Sequence, residues 1–531
     1  MRKLICVLLA ATVLLAACSS TASQVALAPA PEPTTRVPAD GPADESAAQP
    51  DRSSATASPT AQPTPTTQPF IPDTSDGRPF LELNLEEKID EFLVNSNTTF
   101  AANVAAEMGQ TGQRHWVPWL LDILRIGGAN YVARASMRAL QTLTGVESSQ
   151  DPSTDYVIYG SWSRSNDIHP GAGYETWKRT LYGKIVDGQY DRLLGQVSDP
   201  VTLAAIQWGG VRRGGIPELN NPERLTPAQA DFMTPEELVL GFVIGGEAGV
   251  YPVRFLARHE LANDVVGGVP VVLGYCTLCL TALMFDRRLP NGDVLTFQTS
   301  GLLMDSNKIM IDNETESLWN HLSGTAFAGP LAGTRLEQYP IATARWSDWL
   351  ADHPGTFTLA TPLPTYFPET PERQSIAYDY TPGAAYRSYY SSEDLWFPTF
   401  ETPEVFALKE EVVTVDRGEH ALALGLAALS GEDPFVYVLG AEPLVIVPNP
   451  GGARVYSAAD VDGIPAVPWR HGAAVEVALG GVGHDELRVN GVDGRNRIDV
   501  RLPRIVSSQS FWFAWYGLHP DTEIWPPVDR G

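Results

Sequence analysis

The chain has 531 residues, and 63 acidic against 37 basic side chains give it a formal charge of −26. Hydrophobic residues at 44% exclude a wholly disordered chain, and the length exceeds what one core of ordinary size fills, so two or three domains are expected. The acidity excludes nucleic acid as the main partner and charge-driven binding to anionic lipid, and four cysteines exclude a disulfide-built scaffold.

Arg2 and Lys3 precede an apolar run from Leu4 to Ala17. That run is shorter than the roughly 20 residues that span a bilayer as a helix, so it reads as a secretory signal, residues 1–17. It ends in Leu15-Ala16-Ala17-Cys18, which resembles the lipobox of bacterial lipoproteins. Cys18 is then the lipidated N-terminus, and the protein is expected outside the cytoplasm, held at the cell membrane by lipid. Residues 18–78 are mainly Ala, Pro, Thr, Ser and Gln, offer no apolar face, and read as a disordered tether. Residues 19–78 carry seven acidic and three basic side chains, only −4 of the −26, so most of the acidity belongs to the body.

From 79 to 205 the pattern is helical. Leu85, Ile89, Phe92 and Leu93 fall at helical spacing, as do Val117, Leu120, Leu121 and Leu124, and a further helix is predicted from Asn130 to Leu143 after the Gly127-Gly128 break. The pair reads as a HEAT-like helical hairpin or as a helical cap on the next domain. Trp177, Leu181 and Ile185 share a helical face and are expected in the core.

From about 206 onward short β-rich runs dominate, among them Val239–Ile244 and Val269–Leu273, with a hairpin predicted across 285–297 at the turn Asn291-Gly292. The second half echoes the first. Gly246-Glu247 answers to Gly418-Glu419, and Val266-Gly267 to Leu439-Gly440. Trp346, Trp349, His353-Pro354 and Thr356 match Trp512, Trp515, His519-Pro520 and Thr522 at the same internal spacing, on one helical face that proline ends. The expected fold is α+β. Two duplicated mainly-β units, 206–365 and 366–531, each close on an amphipathic helix, and the helical region 79–205 precedes them.

Once signal and lipid anchor are set aside, only Cys276 and Cys279 remain. Their Cys-x-x-Cys spacing suits a thiol-redox pair or half of a metal site, and buried cysteines without chemistry are the third reading. A thioredoxin fold would open a helix at this pair, whereas here the chain continues in strand-like sequence. A metal site, copper or zinc, would complete its ligands from His259, Glu260 and Asp264, the last one turn further on, with His321, Met304 and Met310 as further candidates.

The stretch from Gly214 to Leu359 carries, in order, Gly214-Gly215-Ile216-Pro217, Gly246-Glu247, Tyr251-Pro252, His259-Glu260, Asn263-Asp264, Tyr275-Cys276, Cys279, Phe285-Asp286-Arg287, Ser300-Gly301 and Ser317-Leu318-Trp319, and the chain closes on Phe511-Trp512-Phe513-Ala514-Trp515. Together these resemble the bacterial family called domain of unknown function 3179, over roughly residues 160–525, and the resemblance implies no reaction. Two departures stand out. Thr277 and Leu280 occupy places where the family carries proline and glycine, and Glu316 ends the run Asp312-Asn313-Glu314-Thr315-Glu316 where the family has glycine. Asp312, Glu314 and Glu316 alternate and would share one strand face. Near where the second copy would carry its cysteines stands Asn449-Pro450-Gly451-Gly452, so thiol chemistry belongs to the first copy alone.

The lead function is a thiol-redox or soft-metal site on an exported lipoprotein. The rival is a non-catalytic module that binds a cell-envelope protein.

Overall fold

The computed structural model describes residues 75, 78–93, 97–127, 131–362, 365–366, 375–376, 378–449, 451–459, 486–493 and 496–527. The predicted signal, Cys18, Pro450 and almost all of the predicted tether lie outside the described residues. Helix Leu85–Phe92 starts at a capping box, in which Asn84 accepts from the Glu87 amide and the Glu87 carboxylate accepts from the Asn84 amide. Helices Thr98–Gln110, Val117–Gly127, Tyr131–Thr144, Pro152–Ser165, Tyr174–Ile185, Gln189–Leu194 and Pro200–Ala205 complete the N-terminal helical region. Thr98–Gln110 and Tyr131–Thr144 approach so closely that a Cβ on Gly109 would stand 2.7 Å from Ala139. Trp177 and Leu181 are buried as expected, but Ile185, in the last turn of its helix, is exposed. A buried ion pair, Lys178 to Asp122 at 3.2 Å, ties this core together; the Tyr174 and Tyr182 hydroxyls donate to the same carboxylate. No helix among the described residues is long and apolar enough to cross a membrane.

The rest is built of small sheets, five of them with three or more strands, arranged like the blades of a five-bladed propeller. One blade runs Ile206–Trp208, Phe297–Met304, Asn307–Asp312, Leu318–Asn320, Thr325–Ala328, and the next Gln338–Tyr339, Thr281–Asp286, Val269–Cys276, Leu261–Val266, Leu219–Asn220. Four of the sheets meet around a small cavity lined by Ala282, Ala342, Val413, Ala453 and Ser508, where short side chains let the strands converge.

The hairpin predicted across 285–297 forms in short form: Arg288 bridges Val294 antiparallel around Asn291-Gly292, the Leu289 amide donates to the Asp293 carbonyl at 2.8 Å and the Leu295 amide to the Arg287 carbonyl at 2.9 Å, but the longer flanking strands Thr281–Asp286 and Phe297–Met304 join different sheets. Local turn chemistry reverses the chain without choosing its partner.

The two halves share their strand order. Ala342–Arg345 pairs with Leu238–Ile244, which pairs with Glu247–Pro252, and Phe357 bridges Gly249 in parallel. In the second half Ser508–Phe511, Glu411–Asp416 and Ala421–Gly425 stand in the same order, and Glu523–Trp525 runs parallel on the last. Helices Trp346–Asp352 and Trp512–Leu518 follow the corresponding strands. From each helix an indole N–H donates to a threonine hydroxyl just beyond the helix end, Trp349 to Thr356 at 3.0 Å and Trp515 to Thr522 at 2.9 Å, and the tryptophan ring lies against the histidine after the helix, His353 or His519.

Candidate functional site

The cysteines occupy the turn between Val269–Cys276 and Thr281–Asp286. Cys276 is paired with Thr281 across the sheet, and residues 277–280 make the reversal. Both cysteines are buried free thiols. The turn is held from the second half of the chain: the Thr277 carbonyl accepts from the Tyr390 hydroxyl at 2.7 Å, that of Leu278 from Tyr389 at 3.0 Å, and that of Cys279 from the Phe511 amide at 2.8 Å. Leu280 takes a left-handed conformation, φ +56°, of the kind that favours glycine. Glu316 is left-handed too, at φ +57°.

Cys279 Sγ donates to the Ser306 carbonyl at 3.2 Å and lies 3.7 Å from Asn307 Oδ1. Asp305 and Ser306 form the tight turn between Phe297–Met304 and Asn307–Asp312, both at positive φ, and Arg164 of the helical region grips Asp305 with two bonds of 2.6 and 2.9 Å. Lys308 follows. It is buried, and its Nζ donates to the Tyr275 carbonyl at 2.6 Å and the Glu260 carbonyl at 3.1 Å while pairing with Glu260 Oε2 at 2.9 Å.

These surroundings split the two thiols. Burial works against ionisation of Cys276, but the neighbouring Cys279 thiol, the Lys308 ammonium and the Lys308 backbone amide outweigh it and hold Cys276 below the ordinary thiol value; Glu260 opposes them. Burial and the neighbouring Cys276 sulfur push Cys279 well above that value.

The five predicted metal ligands do not converge. Among the described residues no three His, Cys, Asp or Glu side chains stand where they could hold a metal ion. His259 ends the helix Val253–His259, and its two ring nitrogens face the Pro217 carbonyl at 2.7 Å and the Tyr380 hydroxyl at 2.6 Å. Asp264 is not one helical turn on, because the helix stops and the strand Leu261–Val266 begins; its carboxylate takes the Tyr251 hydroxyl at 2.6 Å and Arg224 at 2.9 Å. Only Glu260, left-handed at φ +62°, turns its carboxylate toward the cysteine turn, and it does so through Lys308.

The acidic run is also not one strand face. Asp312 is buried and accepts from the Thr315 and Ser317 amides, the Thr315 hydroxyl and the Trp319 indole, which makes it the organiser of a turn. Glu314 accepts from the Thr296 amide, and Glu316 pairs with Arg192 and Arg213.

Sequence reasoning missed Lys308, whose signal was a lone cation ahead of the apolar run Ile309-Met310-Ile311, and the covering tyrosines Tyr389 and Tyr390. His321 is buried, and burial, reinforced by the Lys308 charge and opposed by the Gly274 backbone, lowers its pKa to about 3.

The profile of the DUF3179 family, described as a protein of unknown function, matches residues 213–522, more than half of the chain. The chain belongs to that family. No curated protein and no solved structure matches it.

Proposed function

We propose that this member of the DUF3179 family is an exported, lipid-anchored envelope protein whose Cys276 and Cys279 cycle between dithiol and disulfide. The observation that carries the reading is the shared turn: two buried free thiols, Cys279 held against the Ser306 carbonyl at 3.2 Å, with the buried Lys308–Glu260 pair beside the turn. Oxidation would join the two sulfurs and hand two electrons and two protons to a disulfide acceptor, which becomes a dithiol. An oxidising compartment, implied by the signal before Cys18, supplies such acceptors. If the sulfurs bind metal instead, copper(I) suits two thiolates better than zinc, which needs two further donors.

Thiol titration of untagged protein before and after reduction, with metal analysis of the same sample, tests this. The air-exposed protein should gain two titratable thiols on reduction. No gain and no bound metal would leave the cysteines inert and favour a non-catalytic envelope-binding module. Stoichiometric metal that is lost in Cys276→Ser/Cys279→Ser would move the reading to the soft-metal site. Cys18→Ser should shift the protein from the membrane fraction to the soluble fraction.

A further inference from the structure

A second cluster of buried polar groups lies apart from the cysteine turn, mainly in residues that precede the matched family segment. Helices Val117–Gly127, Pro152–Ser165 and Pro200–Ala205, the strand Ile206–Trp208 and Pro398 enclose a cavity of about 440 Å³, counted out to its mouth. Three polar side chains of its wall are buried: Tyr156 at 5% exposure, Gln207 at 6% and Ser163 at 7%. Gln207 Oε1 is fully enclosed and has no hydrogen-bond partner. The Tyr156 and Ser163 hydroxyls also make no hydrogen bond to another described residue. Buried polar groups without partners destabilise a fold, and three on one wall call for an occupant.

Charge and shape narrow what that occupant is. Asp122, also in the wall, is held by Lys178 at 3.2 Å and by the Tyr174 and Tyr182 hydroxyls, and Arg164 is bonded twice to Asp305. The charges are thus matched within the protein, and a charged ligand would be buried without a counter-ion. The remaining groups are two hydroxyls and an amide, which both donate and accept, as a ligand hydroxyl does. Tyr156, Ser163 and Gln207 stand inside, while half-exposed Leu121, Ile168 and Val201 mark the mouth. The enclosed end has room for about one or two waters, so only a small terminal group enters it. The wall is also preformed: a Cβ on Gly160 would stand 2.2 Å from Pro398, and the Thr399 amide donates to the Ser161 hydroxyl at 3.2 Å.

We propose that this cavity binds a small neutral ligand ending in a primary alcohol, a free polyol or a sugar, with the terminal hydroxyl on Gln207, Tyr156 and Ser163 and the carbon chain against Leu121, Ile168 and Val201. The terminal CH2OH group matches the enclosed end in size and supplies the donor and acceptor that the wall lacks. The site shares no residue with the cysteine turn and does not depend on the thiol-redox reading.

The full chain, untagged, is titrated with glycerol and, separately, with glucose by saturation-transfer NMR. Glycerol binding supports the site and identifies a free polyol; binding of glucose alone supports it and identifies a sugar. Tyr156→Phe and Gln207→Met each remove one polar group at nearly constant volume. Each should weaken binding by about fivefold, the effect of one hydrogen bond. The urea midpoint of the unliganded protein should stay the same or rise, because neither group loses a partner within the protein. A merely structural role predicts the reverse, a lowered midpoint with binding unchanged, and that result overturns the proposal. So does tighter binding of glycerol 3-phosphate than of glycerol, which would deny that the site is neutral. Binding of neither probe also overturns it and leaves the cavity to water. If Gln207→Met does not fold, Tyr156→Phe decides alone by the same two readouts. A cysteine pair that never cycles sinks the redox reading and leaves each of these outcomes as it stands.

Discussion

The two halves of the β body keep one frame and differ in what they bury. In both, a tryptophan helix docks through an indole–threonine hydrogen bond and a tryptophan–histidine contact. In both, a hairpin turns on a glycine at positive φ, Gly267 or Gly440. The next turn is where they part. Cys276 and Thr281 are paired across four residues, while Asn449 and Gly452 are paired across two. The longer turn reaches Tyr389, Tyr390 and Ser306, and Lys308, Glu260 and His321 are buried near it. In the second half the buried charged residues among those described are Arg454 and Arg504. The contacts the halves share serve packing, and the cysteine turn with its buried Lys308, Glu260 and His321 belongs to the first half.

The largest test bears on the shared frame. Trp349 and Trp515 are both buried in equivalent helices. Trp349→Ala and Trp515→Ala should each lower the unfolding free energy by about 3–5 kcal/mol, read from denaturant midpoints. Losses of similar size would make the equivalence energetic as well as geometric. A Trp515→Ala cost below about 1 kcal/mol would mean that the second copy keeps the shape of the contact and not its stabilising role.

The next test bears on what the first copy alone buries. His321 has its pKa lowered to about 3, chiefly by burial and then by Lys308. In the unfolded chain an imidazole takes up a proton below about pH 6.5, whereas in the folded protein it stays neutral until about pH 3. Between those limits the unfolded state binds the extra proton, so stability from this group is full above the upper limit and falls as the pH drops through the window. At pH 4.5 the loss should be about 2–3 kcal/mol relative to pH 7. His321→Leu should remove that component while leaving the carboxylate contributions, so the pH dependence of its urea midpoint should be shallower than that of wild type. Identical slopes would show that His321 does not stay neutral in the fold.

The duplication was legible because its markers are local. Two tryptophans, a histidine and a proline at fixed spacing specify a short helix and its stop, and the structure puts a helix at each place. The setting of the cysteines between strands was legible for the same reason. What surrounds them was not. Ile206–Trp208 is paired with Phe297–Met304, and Glu523–Trp525 lies beside Ala421–Gly425, pairings about a hundred residues apart that no periodicity encodes. The same distance hid Tyr389 and Tyr390. His259 and Asp264 looked like ligands because they sit near the cysteines in sequence. Arg224 claims Asp264, and Pro217 and Tyr380 face His259, and these partners come from loops and strands whose place only the fold supplies.

The smallest effects concern two residues with side chains, Leu280 and Glu316, that sit in backbone which favours glycine. Leu280 and Glu316 hold left-handed backbone that costs a side-chain-bearing residue about 1 kcal/mol. Each is compensated differently. Leu280 is partly buried and packs against two core clusters, and Glu316 pairs with Arg192 and Arg213. Leu280→Gly should therefore change stability little, with backbone relief offsetting lost burial, while Leu280→Ala keeps the strain and loses the burial. The glycine variant should be the more stable of the two by about 1 kcal/mol. Glu316→Gly should also come out within about 1 kcal/mol of wild type, because partly exposed ion pairs contribute about that much or less. If Leu280→Ala proves as stable as Leu280→Gly, the turn holds no strain at that residue, and its left-handed backbone costs the fold nothing there.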